Sequence, residues 1–308
     1  MNETSLLNLR PLSIAELFDR SFRLYRKNFG TFLGIMLLTQ IPLFLFGLAL
    51  SALTDTTPNL SSNADLTDLF MTTTIISVLI AGTVGAILSL IFTQVGAAAL
   101  TKAIADSYLG HTIGFWEAFQ RIGNTWVTLI FASIVASLIV LGLAIPVGII
   151  FLIPCIGPLI GFVGFVAVVA IGNVLISLIP PVVVLEKKGV MDSIRRAWEL
   201  AKLRFWWAFG YLFLLGLMSL LVISGPTALI QFLFETALGN LSEFSQTIVS
   251  DTASSLLTAV FMPIRLAAIT LMYFDLRIRF EGFDLMVLAA ADNTTINDAS
   301  ELTSKGSL

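Results

Sequence analysis

All but one of the Lys and Arg residues of this chain lie in alternate segments between or beyond its apolar blocks, the exception being Arg265 within the last block, and that one-sidedness constrains the fold more than any other feature. The sequence holds 17 of them. Arg10, Arg20, Arg23, Arg26 and Lys27 precede the first block, and Lys102 and Arg121 stand between the second and third. Lys187, Lys188, Arg195, Arg196, Lys202 and Arg204 stand between the fourth and fifth, and Arg277, Arg279 and Lys305 follow the last. The intervening polar stretches near residues 54–72 and 236–250 contain none, and carry Asp55, Asp65, Asp68 and Glu243. Basic residues are retained on the cytoplasmic side of a membrane. The pattern therefore predicts six spans with both termini inside the cell, in the cell membrane.

Composition agrees with lipid surroundings. Charged residues make up 12% of the chain, against ~25% in an ordinary soluble domain. A helical span needs about 20 apolar residues, and spans are expected near 31–53, 73–99, 126–151, 158–184, 206–234 and 251–276. No acid or base occurs from Ile122 to Leu185. Both flanks of that stretch are basic, so the crossings within it must be even in number. Two long spans are expected, joined at IPCIGP, where Pro154 and Pro158 end one helix and start the next. Gly157, Gly161, Gly164 and Gly172 share one helical face, which predicts close backbone packing at the bundle centre. The first block should remain as a span, because about thirty polar or amphipathic residues precede it and no small-residue cleavage site follows. Residues 1–285 read as one membrane domain and 286–308 as a disordered polar tail.

Three polar segments precede the odd-numbered spans and share a pattern. Each places an acid, an apolar residue two later and Arg four after the acid: Glu16, Phe18, Arg20; Glu117, Phe119, Arg121; Asp192, Ile194, Arg196. An acid four residues before Arg favours an ion pair on a helix. In the first segment Ile14, Leu17, Phe18, Phe22 and Tyr25 recur at helical spacing opposite the charges, which predicts an amphipathic helix lying in the membrane interface. Each segment enters its span through aromatics: Phe29 and Phe32, Trp126, and Phe205 with Trp206 and Trp207. The expected architecture is all-α, a polytopic bundle of three two-span hairpins, each preceded by a cytoplasmic interfacial helix.

Three stretches, LRPLSIAELFDRSFRLYRKNFGTFLGI, VVVLEKKGVMDSIRRAWELAKLRFWWAFG and MYFDLRIRFEGFDL, resemble the membrane domain of bacterial glycerophosphodiester phosphodiesterases. That domain also occurs alone as a multi-pass protein, and this chain is similar to the stand-alone form. The resemblance implies six spans with cytoplasmic termini. It does not imply phosphodiesterase activity, which belongs to a separate barrel domain with metal-binding acids and paired histidines. The chain has a single histidine, His111, expected to face water, and a single cysteine, Cys155. Neither a multi-His metal site nor an intrachain disulfide can be built from them.

Candidate sites come from charge out of place. Arg20, Arg121 and Arg196 could form a basic ring for anionic headgroups, or simply anchor their hairpins. Gln40, Gln94, Asn173 and Gln231 are intramembrane polar residues, more ordinary as interhelical hydrogen-bonding groups than as a site. Arg265 is the sharper case, since a cation in hydrocarbon costs several kcal/mol unless paired. The alternating charges Asp275, Arg277, Arg279, Glu281 and Asp284 should dock against the basic segments. No phosphate loop, nucleophile with its base, metal cluster, cofactor motif or nucleic-acid module is present. The expected function is a non-enzymatic membrane module that organises anionic lipids or a membrane or cytoplasmic protein partner. The alternative is a small-solute or lipid transporter with a site near Arg265 and Asn173.

Overall fold

The computed structural model describes residues 11–55, 73–111, 114–154, 156–237, 243–283 and 285. These residues form helices joined by turns, with no strand among them. In chain order they are α1 (Ile14–Lys27), α2 (Phe29–Asp55), α3 (Thr73–Tyr108), α4 (Phe115–Ile122), α5 (Thr125–Phe151), α6 (Gly157–Glu186), α7 (Val190–Leu203), α8 (Phe205–Ala237) and α9 (Glu243–Glu281). A short helix followed by a long hairpin thus occurs three times. Six of the helices are long and apolar enough to cross a membrane. The chain is a multi-pass membrane protein.

The short helices begin where the shared acids place them. The Ser13 hydroxyl accepts from the Glu16 N–H at 3.3 Å, and the Glu16 carboxylate accepts from the Ser13 N–H at 2.9 Å, a reciprocal cap on α1. Glu117 accepts from the Gly114 N–H at 3.4 Å at the start of α4. Asp192 stands at the same third position of α7. The acid of each motif is therefore a helix-start residue as well as a possible partner for Arg. One face of each short helix is buried: Leu17, Ser21 and Tyr25 in α1, Ala118 and Ile122 in α4, Ile194, Ala197, Leu200 and Ala201 in α7.

The core occupies one end of the bundle. Phe32, Ile35 and Met36 at the start of α2 join Ala97–Ala105 near the end of α3. Leu129 of α5, Leu178 and Val182 of α6, Tyr211 of α8 and most of α9 from Ile264 to Leu276 complete it. At the opposite end the helices expose apolar side chains, such as Leu141 and Ile149 of α5, Phe162 of α6 and Leu221 and Phe232 of α8. Such a surface would be an aggregation liability in water and is ordinary against lipid tails. The three hairpins are knotted together at the basic end, where α1, α4 and α7 wrap the ends of α3, α6 and α9.

The bundle centre is α9. Of its most apolar stretch 61% is buried, against 6% for α3, although both have a mean hydropathy of 1.8. α9 packs on α8, α2, α3, α6, α1 and α7. The glycine face of α6 does not form that centre. It packs on α5, its own hairpin partner: a Cβ at Gly161 would lie 2.7 Å from Phe151, one at Gly164 3.1 Å from Val147, and one at Gly172 2.9 Å from Val140. A tight antiparallel hairpin needs this close approach throughout its length, and the adjacent α5 meets the face first.

Two helices run past their expected ends. α3 reaches Tyr108 instead of residue 99, and α9 reaches Glu281 instead of residue 276. Lys102, Asp106, Asp275, Arg277 and Arg279 mark the end of the apolar run but not of the helix. They sit in a cap of packed protein, where helical backbone is sheltered and ion pairs can form. The internal prolines Pro42, Pro146, Pro180, Pro181, Pro226 and Pro263 all lie within helices that continue beyond them. The IPCIGP turn lies between α5 and α6 as expected, with Pro158 in the first turn of α6. The expected polar tail and the polar stretch at residues 56–72 lie outside the described residues.

Candidate functional site

The charged groups converge on the end of α9. Asp275 is 1% exposed. One of its oxygens accepts from the Leu12 N–H at 2.6 Å and the other from Arg279 Nε at 2.7 Å. Arg279 closes the loop by donating to the Leu12 carbonyl at 2.6 Å. This two-sided grip on one peptide fixes the chain just ahead of α1. It satisfies a carboxylate that would otherwise be buried at high cost.

A second cluster joins the ends of α6 and α9 to the middle of α7. Arg196 of α7 donates through Nε to both oxygens of Glu186, at 3.1 and 3.0 Å, and also pairs with Glu281. Lys188 Nζ lies 2.9 Å from Glu186, and the Tyr273 hydroxyl donates to the same carboxylate at 2.9 Å. Arg277 donates to Glu281 at 3.0 Å and to the Tyr273 hydroxyl at 3.3 Å, and lies over the ring of Phe283. Burial alone would lower the Arg196 pKa, but the hydrogen bonds and charges of Glu281 and Glu186 outweigh it and raise it above the ordinary value. Arg196 is thus held by two carboxylates and does not pair with Asp192.

Arg121 has similar company. It pairs with Glu117 at 2.6 Å, the helical pair that the sequence predicts, and with Asp106 at 3.3 Å, which also holds Lys102 at 2.8 Å. The structure therefore gives both Arg121 and Arg196 carboxylate partners and a role in tying short helices to long ones.

Arg20 also faces a concavity. With Arg23, Leu24 and Lys27 of α1 and Tyr108 of α3 it lines a hollow of about 450 Å³ at the basic end. Arg20 reaches the Tyr108 hydroxyl at 3.5 Å, and the Tyr108 ring stacks on Phe274. Arg23 is exposed and pairs with Asp19 at 2.8 Å. Such an exposed pair contributes little and is easily exchanged. Three basic side chains one turn apart on one helix thus face a single concavity.

The intramembrane polar residues do not converge. Gln40 lines a narrow cleft between α2 and α9 with Thr252 and Ser255. Gln231 donates to the Ser250 hydroxyl at 2.8 Å, tying α8 to α9. Gln94 is half-buried on α3, and Asn173 is exposed on α6, where among the described residues no hydrogen bond holds it to another helix. Arg265 is half-buried in α9, and among the described residues no hydrogen bond, ion pair or aromatic ring meets it. His111 is exposed, with its N–H bonded to the Asp106 carbonyl at 2.9 Å.

Sequence reasoning passed over Glu186, Tyr273, Asp106 and Tyr108. Only Asp106 carried a usable signal, its spacing of four from Lys102. Among the described residues no cluster of His, Cys, Asp and Glu could hold a metal ion. No family model, characterised protein or solved structure matches the chain.

Proposed function

We propose that this is a non-enzymatic membrane module whose basic end lies at the cytoplasmic leaflet and holds anionic lipid headgroups. The hollow lined by Arg20, Arg23, Lys27 and Tyr108 carries the reading. It presents cations and a phenol beside the point where α1 meets the membrane-spanning α3. A phosphodiester headgroup needs that chemistry: charge-assisted donors within an open concavity. The three stretches similar to the membrane domain of glycerophosphodiester phosphodiesterases fit a membrane module of that kind. Transport is less favoured, because Asn173 is exposed on α6 and no hydrogen bond links it to Arg265.

The test replaces Arg20, Arg23 and Lys27 together with Gln and counts retained phosphatidylglycerol by native mass spectrometry. Each basic residue near a membrane surface contributes about 1 kcal/mol. Three should change retention by up to roughly 100-fold, while phosphatidylcholine retention stays as it was. Equal phosphatidylglycerol retention by the triple variant and the wild type would dismiss the proposal.

A further inference from the structure

Among the described residues Arg265 meets no counter-charge. Residues 29–54, 73–101, 122–185 and 205–234 contain no Asp, Glu, Lys or Arg, so the other five membrane-crossing segments offer it no carboxylate. On α9 the carboxylate toward the basic end is Asp275, ten residues or about 15 Å away. Asp275 is already engaged by Leu12 and Arg279. In the other direction Asp251 is exposed and fourteen residues, or about 21 Å, away.

The depth of Arg265 follows from its neighbours. α8 and α9 run antiparallel with Gln231 beside Ser250 and the Tyr211 hydroxyl on the Ala268 carbonyl at 3.1 Å. That register sets Arg265 level with Leu215, ten residues and about 15 Å beyond Phe205, where α8 begins. Both estimates put the residue near mid-bilayer, given a hydrocarbon core ~30 Å thick. Side chains on a helix lean toward its N-terminus, and α9 runs toward the basic end. The guanidinium is thus directed away from the packed core, toward the end where the hairpins expose their apolar faces. Arg265 lies away from the Thr252–Ser255–Ala259 stripe that meets α2, on the side of α9 that turns to α8.

A guanidinium keeps its charge, and an unpaired cation at this depth costs several kcal/mol. Something must meet it. We infer that Arg265 is an intramembrane anion site that takes a phosphate oxyanion, entering from the end of the bundle opposite the basic hollow. The guanidinium fork matches two phosphate oxygens. On its own face of α9 the neighbours one turn back are buried Phe261 and half-buried Met262, apolar surroundings that suit a phosphate carried on a lipid. The same fork would also accept free phosphate. This site is independent of the hollow at Arg20, which lies past the core at the other end.

The test uses the full chain purified in maltoside detergent and stripped of lipid. Arg265→Met removes the charge with little change of volume, and Arg265→Lys keeps the charge without the fork. Each is titrated with phosphatidylglycerol and, separately, with inorganic phosphate, and occupancy is read by native mass spectrometry. One tightly held phosphatidylglycerol in the wild type, at least tenfold less of it in Arg265→Met and an intermediate level in Arg265→Lys support the site with a lipid ligand. The same order with inorganic phosphate supports it with a free anion. The hollow is intact in both variants, and the site is intact in the hollow variant, so each proposal fails separately. Equal occupancy in the wild type and Arg265→Met overturns the inference. If Arg265→Met does not fold, Arg265→Lys decides: reduced occupancy supports the site, and unchanged occupancy overturns it.

Discussion

Replacing Asp275 with Ala should be the most damaging single change at the basic end. The substitution strips Arg279 of its carboxylate and the Leu12 N–H of its acceptor at one stroke. Asp275 is fully enclosed, and Arg279 is only about a quarter exposed. Breaking one partner of a buried pair costs about 3–5 kcal/mol, and an unsatisfied buried N–H costs ~1–3 kcal/mol. The two losses overlap, because the Leu12 segment can lift away and rehydrate, so the sum is an upper bound and about 4 kcal/mol is expected. At ~2–4 °C per kcal/mol the melting temperature in detergent should fall by about 10 °C. A cycle with Arg279→Met separates the terms. Adding Arg279→Met to Asp275→Ala should restore ~1–3 kcal/mol, because no cation is then left alone. A fall of under 2 °C in Asp275→Ala, or additive losses in the double variant, would refute the reasoning.

Two further perturbations test local packing and backbone. A Cβ at Gly157 would collide with the Ile150 carbonyl oxygen, which is backbone and cannot step aside, while nothing lies within 4 Å of one at Gly142. Gly157→Ala should therefore lower stability by about 1–3 kcal/mol, and Gly142→Ala, in mid-helix, should raise it by up to ~1 kcal/mol, both read by thermal melting in detergent. Lys187 ends α6 in the left-handed region at φ 51°. Lys187→Gly relieves that geometry and should stabilise by a few tenths to ~1 kcal/mol, a rise in melting temperature that Lys187→Ala should not reproduce.

The six spans and the three short helices were legible because each rests on a local cause. Apolar length gives the spans, acids four residues before Arg and apolar residues at helical spacing give the short helices, and the placement of bases gives the order. The identity of the central helix was not legible. α3 and α9 have the same mean hydropathy, and only packing tells lipid from protein as the surroundings of an apolar residue. The same ambiguity hid the true ends of α3 and α9. Lys102 and Arg277 read as the edge of the membrane, whereas they lie in a protein cap that lets the helices continue. The candidate arginines were found by type, but their partners were not. Glu186 and Glu281 are 10 and 85 positions from Arg196, and no periodicity connects them. Arg265 stood out in the sequence for the reason it stands out in the structure: it is a charge inside an apolar helix for which the described residues supply no partner.

The account depends on the basic end facing the cytoplasm, and side-specific cysteine labelling in intact cells tests this directly. In a Cys155→Ser background, His111→Cys reports the basic end and Thr236→Cys the opposite end, both exposed positions. A membrane-impermeant maleimide should label Thr236→Cys in intact cells and His111→Cys only after permeabilisation. Labelling of His111→Cys in intact cells would contradict the orientation and, with it, the assignment of the Arg20 hollow to the cytoplasmic leaflet.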